Sequence, residues 1–240
     1  TFRTDQTTRD KYADVALSVQ DFIYPYFVVE GEGIVEPVPT MPGINRYSID
    51  TLVEDALEVK GLVIDKVLLF GVVSDDVKDE RGTAAYADDS LIVRAVRAIK
   101  QASPQTVVFT DVCLCGYTSH GHCGLLHHHD VDNDTTLPLL AKMAYQHAKA
   151  GADFVAPAPM MDGQVEAIKH RLHEAGLDGK TKVLAYSAKY ASAFYGPFRD
   201  AADSAPSFGD RKTYQMDYRT HDQGLEEIGA DIEEGADWTM

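Results

Sequence analysis

Apolar residues recur along this chain in two alternating rhythms. Short runs rich in β-branched and aromatic residues read as strands: "IYPYFVVE" (23–30), "KVLLFGVV" (66–73), "TVVFTDVCL" (106–114), "DFVAPA" (153–158), "KVLAYSA" (182–188) and "TYQM" (213–216). Between them the apolar positions switch to helical spacing. Ile49, Leu52, Val53, Ala56 and Leu57 mark one face; Ile92, Ala95, Val96 and Ile99 mark another; Leu137, Leu140, Ala141, Ala144 and Ala148 a third. Val165, Ile168, Leu172 and Ala175 repeat the pattern, as do Leu225, Ile228, Ile232 and Ala236. Strands alternating with amphipathic helices predict an α/β fold on a parallel sheet.

An internal echo extends the reading. "AGADFVAPA" near 150 and "EGADWTM" at 234–240 both read as a helix stop on Gly, then Ala-Asp, then a strand. By that analogy Trp238, Thr239 and Met240 begin a seventh strand. The expectation is about six βα units plus the start of strand 7, in one domain over 1–240 without a linker. As a barrel of eight units it would lack roughly its last quarter, so the chain reads as a fragment with open sheet edges.

Composition narrows the setting. The chain has 240 residues, 45% of them hydrophobic, enough for one large core. Its 38 acidic against 22 basic residues give a formal charge of −16, which repels nucleic acid and anionic membrane surfaces. The acids are dispersed rather than gathered in a tail, a solvated surface that a salt-rich cytoplasm would favour. No run of about eighteen apolar residues occurs, and "TFRTDQTTRDKYAD" lacks the apolar stretch of a signal peptide, so the expected compartment is cytoplasmic.

Candidate chemistry begins with "TDVCLCGYTSHGHCG" (110–124), which holds all three cysteines. Cys113 and Cys115 are two apart at a strand end and so share a face, and Cys123 returns through a loop containing Gly121 and Gly124. Three thiolates would leave one tetrahedral position open, the arrangement of catalytic zinc. His120 and His122 are near enough for a fourth ligand or for proton transfer. "HHHD" (127–130) resembles a metal-binding tract but reads as a surface loop. In "YSAKYASAFYGPFRDAA", Lys189 follows a strand among Tyr190, Phe194, Tyr195 and Phe198. Burial beside Arg199 and Arg211 is expected to lower its pKa and make it an imine-forming amine. Arg211, Lys212 and Gln215 in "FGDRKTYQMD" suit a carboxylate.

These motifs, with "MMDG", "PVPTMPGINRYSID" and "DIEEGAD", resemble the porphobilinogen synthase (5-aminolevulinate dehydratase) family of cysteine-rich, zinc-dependent type, over nearly the whole chain. The resemblance implies a TIM barrel with an N-terminal arm (1–20), usually homo-octameric. It implies condensation of two 5-aminolevulinate molecules to porphobilinogen with loss of two waters, on the route to tetrapyrroles. By position, Cys113, Cys115 and Cys123 match zinc ligands, Asp111 an active-site aspartate, and Lys189 one of two Schiff-base lysines. Arg199 and Arg211 match residues holding a substrate carboxylate, with Gln215, Tyr195 and Phe198 beside them. Glu227 aligns with a ligand of an allosteric magnesium ion.

The sequence also departs from the family pattern. The family's second lysine, in "VKP", would fall about two residues past Met240, so these residues alone are expected to lack appreciable activity. Ala158 and Pro159 replace a common Ser-Asp, and the loop at "LLHHHDVDND" is short. The alternatives are a class I aldolase, which would not need three thiolates, and a catalytically inactive zinc-binding remnant or subunit that assembles with intact copies.

Overall fold

The computed structural model describes Thr1 to Met240. Ten strands form: β1 (Tyr24–Val28), β2 (Val35–Pro37), β3 (Asn45–Tyr47), β4 (Lys66–Gly71), β5 (Val107–Val112), β6 (Leu126–His127), β7 (Asp130–Val131), β8 (Phe154–Pro157), β9 (Lys182–Ala185) and β10 (Trp238–Thr239). Seven helices accompany them: α1 (Gln6–Lys11), α2 (Ile49–Gly61), α3 (Leu91–Ala102), α4 (Asn133–Ala150), α5 (Gln164–Glu174), α6 (Gly196–Ala201) and α7 (Gln223–Glu233). The main sheet runs β10-β9-β8-β5-β4-β1-β3-β2, parallel except where β2 meets β3, and it is open between its two ends. β6 and β7 form a separate hairpin.

Alternation along the strands divides the core into two layers. Val67 and Leu69 of β4, Val108 and Val112 of β5, Val155 of β8, and Val183 and Ala185 of β9 join the large cluster packed under α2 to α5. The residues between them face the other way: Phe27 and Phe70 in one cluster, Phe109, Phe154, Ala156 and Leu184 in another. A strand's period of two therefore sends every second side chain into the barrel interior. α3 packs as its spacing predicts, with Ile92, Ala95, Val96 and Ile99 all buried.

Strand order corrects the expectation in two places. "TYQM" is not a strand. Its only ladder contact is an isolated bridge between Met216 and Tyr190, and Gln215 N–H closes a turn on the Arg211 carbonyl at 2.8 Å. Its apolar residues are buried by this turn, Met216 in the interior and Tyr214 against the cysteines, which mimics strand alternation. Trp238 and Thr239 instead pair in parallel with Leu184 and Ala185, so β10 is the sixth barrel strand rather than the seventh, after five βα units. The helical face on α7 is also not buried as expected. Leu225 and Ile232 are exposed, while Gly224 and Asp231 face inward.

The internal echo reappears as repeated geometry. Gly151 and Gly235 follow α4 and α7 at φ of 109° and 100°, a left-handed turn that glycine adopts without a Cβ clash. Each is followed by an aspartate that ties the new strand to its neighbour. Asp153 accepts from the Val108 N–H at 2.7 Å and from Lys100 Nζ; Asp237 accepts from the Val183 N–H at 2.9 Å and from Lys169 Nζ at 3.1 Å. Asp153→Ala leaves a ladder-edge N–H and an ammonium without their acceptor. It is expected to cost about 1–3 kcal/mol in urea unfolding.

Burial under α4 carries a pH signature. His147 is fully buried, its Nδ1 lies 3.0 Å from the Thr110 hydroxyl, and burial pushes its pKa down from 6.5 to about 3. The unfolded chain binds this proton below about pH 6.5 and the folded chain does not, so stability falls as pH drops through that window. Between about pH 8 and pH 5 the loss from this group is roughly 2 kcal/mol. His147→Gln keeps a hydrogen-bonding group without titrating, and its unfolding free energy should be less acid-sensitive than wild type by that amount.

Candidate active site

The interior residues of β5 lead straight into the site. Phe109 and Asp111 point inward, and extended backbone past Val112 carries the same face on to Cys113. The chain then turns, with the Thr118 hydroxyl donating to the His122 carbonyl at 2.9 Å. Gly121 allows the return: its φ is 70°, and a Cβ there would lie 2.2 Å from the Ala205 carbonyl oxygen. Cys123 is thereby brought back to the first two thiols. The three sulfurs lie within 4.8 Å of one another, Cys113 and Cys115 at 3.3 Å, and all three residues are buried.

Three tetrahedral Zn–S bonds of about 2.3 Å would set the sulfurs about 3.8 Å apart, so this donor set fits such an ion with small side-chain adjustment. Two of the three thiols, Cys113 and Cys115, are pushed above the ordinary range and Cys123 below it, so binding of an ion must release protons from the first two. Hydrogen bonding to Cys115 and Cys123 pushes the Cys113 thiol up, while hydrogen bonds from Cys113 and Cys115 pull Cys123 well below the ordinary thiol range. The expected histidine ligands do not join them. His122 faces the Tyr214 hydroxyl and the Phe208 carbonyl, each at 3.1 Å, and His120 Nε2 lies 3.2 Å from the Glu80 carbonyl. Ring nitrogens held by these partners are turned away from the sulfurs.

A cavity of about 290 Å³ opens beside the thiols at the C-terminal ends of the strands. Asp111, Cys113, Cys115, Lys189, Tyr195, Phe198 and Arg211 all line it. Lys189 follows β9, its backbone carbonyl accepting from Met216 N–H at 3.1 Å, and its Nζ donates to the Ala158 carbonyl at 2.9 Å. The Tyr186 and Tyr195 rings each lie 5.6 Å from this nitrogen. Phe194 is instead exposed to solvent. Sequence reasoning did not single out Tyr186, whose signal was its inward register on the β9 path after Leu184. Phe27 and Phe70, from β1 and β4, complete the apolar wall.

The direction of the Lys189 shift is the reverse of the expectation. Burial alone would lower it, but the charges of Cys123, Cys113, Cys115 and Asp111 outweigh burial and hold the ammonium above the ordinary lysine range. The reason is that the nearest charges are the sulfurs and a carboxylate rather than the arginines. Asp111, half-buried on the cavity wall, is pushed up to about 7 by loss of solvation and by Cys115, against the pull of Lys189 and Arg211.

Arg211 is nearly buried. It donates to the Gly121 carbonyl at 3.0 Å and to the Ser204 carbonyl, and its Nε has no partner. Arg199 Nε is likewise buried without a partner, and Gln215 Oε1 as well, but neither residue lines the cavity. Gln215 turns instead toward the far side of the 211–216 turn, with Glu227. Glu227 is raised by burial and by Asp162, Asp231 and Glu234, and its carboxylate does not converge with two other donors. Arg46 holds the segment that covers the cavity, its Nε donating to the Ala201 carbonyl at 2.9 Å.

The family model of delta-aminolevulinic acid dehydratase matches residues 1–240. Curated relatives of that name include one from Synechococcus elongatus, 49% identical over 99% of this chain and 73% of its own length. Another, from Bacillus subtilis, is 46% identical over 99% of this chain and 72% of its own length. Among solved structures, a Toxoplasma gondii delta-aminolevulinic acid dehydratase (porphobilinogen synthase) in complex with the reaction product porphobilinogen superposes with a TM-score of 0.95. It is 40% identical, across all of this chain and 68% of that one.

Proposed function

The chain belongs to the delta-aminolevulinic acid dehydratase family, and from that premise we propose that its cavity joins two molecules of 5-aminolevulinate into porphobilinogen with loss of two waters. This is a hydro-lyase step of tetrapyrrole (heme) biosynthesis. The observation that carries the reading is the meeting of Lys189, Asp111, Cys113 and Cys115 on the wall of one small cavity, with Cys123 behind them. The match of the whole chain to dehydratases favours it over a zinc-binding remnant. The thiol trio favours it over an aldolase that uses a lysine alone.

The proposed chemistry follows from those side chains. Lys189 must shed a proton before it attacks, and Asp111, with a pKa of about 7, is the carboxylate in the same cavity suited to take it. The amine nitrogen then bonds to the ketone carbon of one substrate as the carbonyl π pair moves to oxygen. That oxygen leaves as water and an imine remains. The unpartnered Nε of Arg211, on the cavity wall, is a donor in reserve for a substrate carboxylate, and Arg199 is proposed as its companion on the family resemblance alone. The rings of Tyr186, Tyr195 and Phe198 exclude water from the imine.

Cys113, Cys115 and Cys123 are the residues that would hold zinc, which thiolates select over magnesium. When bound it supplies Lewis-acid polarisation of a substrate carbonyl or of water. Glu227 is proposed, on the family resemblance and its acidic surroundings, as a ligand of an accessory magnesium ion. The arm, α1 included, leaves Phe2, Tyr12, Val15 and Leu17 exposed, which supports a homo-oligomer, an octamer in the family pattern. No helix is long and apolar enough to cross a membrane, and the proposed compartment is the cytoplasm.

The test is porphobilinogen formation from 5-aminolevulinate by the protein that carries these residues, before and after removal of metal with a chelator. Product that disappears with the metal and returns with zinc is the expected result. Aldol cleavage of a sugar phosphate, unaffected by the chelator, would transfer the assignment to the aldolase class.

A further inference from the structure

The segment that covers the cavity is gripped by cations at the end of α6. Carbonyls at a helix C-terminus lack intrahelical partners and attract positive charge. Arg46, on β3, donates to the Asp200 carbonyl at 2.6 Å and to the Ala201 carbonyl at 2.9 Å. Lys78, in the loop after β4, donates from Nζ to the Asp203 carbonyl at 3.1 Å and also to the Asp203 carboxylate. Arg211 takes the next carbonyl, that of Ser204. Four of the five carbonyls from Asp200 to Ser204 are therefore bound by positive side chains.

Lys78 holds the strained point of this segment. Asp203 has a φ of 46°, the left-handed region that residues other than glycine enter at a cost. Its carbonyl and its carboxylate both turn onto one ammonium, which donates to Asp75 at 2.9 Å as well. The Lys78 side chain is only 9% exposed. Burial acts against its charge, but Asp203 and Asp75 outweigh it and keep the ammonium protonated. A buried ammonium stripped of its acceptors is costly, which separates this contact from an incidental surface pair. Neither Lys78 nor Asp203 lines the cavity, whereas Ala202 and Ser204 do. The Ser204 carbonyl is one of two that orient Arg211, the other being that of Gly121 at 3.0 Å.

We propose that Lys78 is a positioning residue for the cavity: by clasping Asp203 it sets the Ser204 carbonyl, and through that carbonyl the Arg211 guanidinium that receives a substrate carboxylate. The role of Arg211 rests on the proposed condensation; the clasp rests on geometry alone. Lys78 itself touches no substrate. Without it Asp203 is free to leave its left-handed conformation, the Ser204 carbonyl turns with it, and Arg211 loses one of its two acceptors. The wall made by Phe198, Ala202 and Ser204 then loosens over Cys113 and Cys115 on the same cavity.

The experiment compares wild type with Lys78→Met, Asp203→Gly and the double variant in the protein that carries these residues, with two readouts. Lys78→Met is expected to raise KM for 5-aminolevulinate roughly tenfold, the effect of a lost charge-assisted hydrogen bond, with kcat held within about twofold. In metal-free protein a bulky thiol reagent should modify the cysteines at least about fivefold faster than in wild type, because local opening of the wall sets that rate. Asp203→Gly relieves the backbone strain while removing the carboxylate, so it tests the clasp even if Lys78→Met folds poorly, and it should move both readouts the same way. The double variant should have a KM no higher than that of Lys78→Met, since the two residues act as one unit. Unchanged KM and unchanged thiol reactivity in Lys78→Met would overturn the proposal, even with a lowered thermal midpoint. Faster thiol modification in the variants of a protein that forms no porphobilinogen would support the clasp and sink the condensation; porphobilinogen formed with equal KM by wild type and Lys78→Met would do the reverse.

Discussion

Lys189→Met is expected to abolish imine trapping: borohydride added with 5-aminolevulinate should label wild-type protein at residue 189 and leave the variant unlabelled, a drop of at least about a hundredfold. Two features of the cavity set this expectation. Lys189 is the one lysine on its wall, and its nitrogen is oriented by the Ala158 carbonyl between two tyrosine rings. Lys212, the next lysine after it along the chain, is exposed and paired with Asp210 at 3.2 Å. Lys189→Arg is the informative companion, since it keeps the charge facing the sulfurs but cannot form the imine. Label found mainly on Lys212, or spread evenly over exposed lysines, would remove Lys189 from its proposed role.

Metal binding at the thiols should show the second large effect. A three-thiolate zinc site stabilised by about 12 kcal/mol owes roughly 4 kcal/mol to each ligand, so Cys115→Ala should weaken zinc binding about a thousandfold. Measured by competition with a chromogenic chelator, the loss should be similar for Cys113→Ala and Cys123→Ala, because the three sulfurs converge on one point. The variants also test the electrostatics at Lys189. Removing a thiolate removes one of the charges that hold its ammonium up, so the lysine should be modified more readily by an amine reagent at neutral pH in metal-free Cys123→Ala than in metal-free wild type. Zinc content unchanged across all three single variants would refute the cysteine assignment.

Much of the site was legible in the sequence because it depends on local backbone geometry. A strand's period of two puts Phe109, Asp111 and Cys113 on one face whatever the rest of the chain does, and helical spacing buries Ile92, Ala95, Val96 and Ile99. A glycine stop followed by aspartate likewise announced β8 and β10. The family motifs pointed to Lys189 and Arg211 at the same cavity.

What only the tertiary structure decided depends on groups distant in sequence. Whether Lys189 is raised or lowered is a contest between burial and through-space charge, and the sulfurs of Cys113, Cys115 and Cys123 reach it more effectively than the arginines beside it in sequence. "TYQM" has strand-like alternation, yet its neighbours fold it into a turn over the thiols, so β10 took the sixth place in the barrel. The apolar spacing of α7 set a face but not whether anything covers it. Periodicity is a property of the backbone and can be read one segment at a time, whereas the sign of an electrostatic shift and the membership of a site are set by which segments meet.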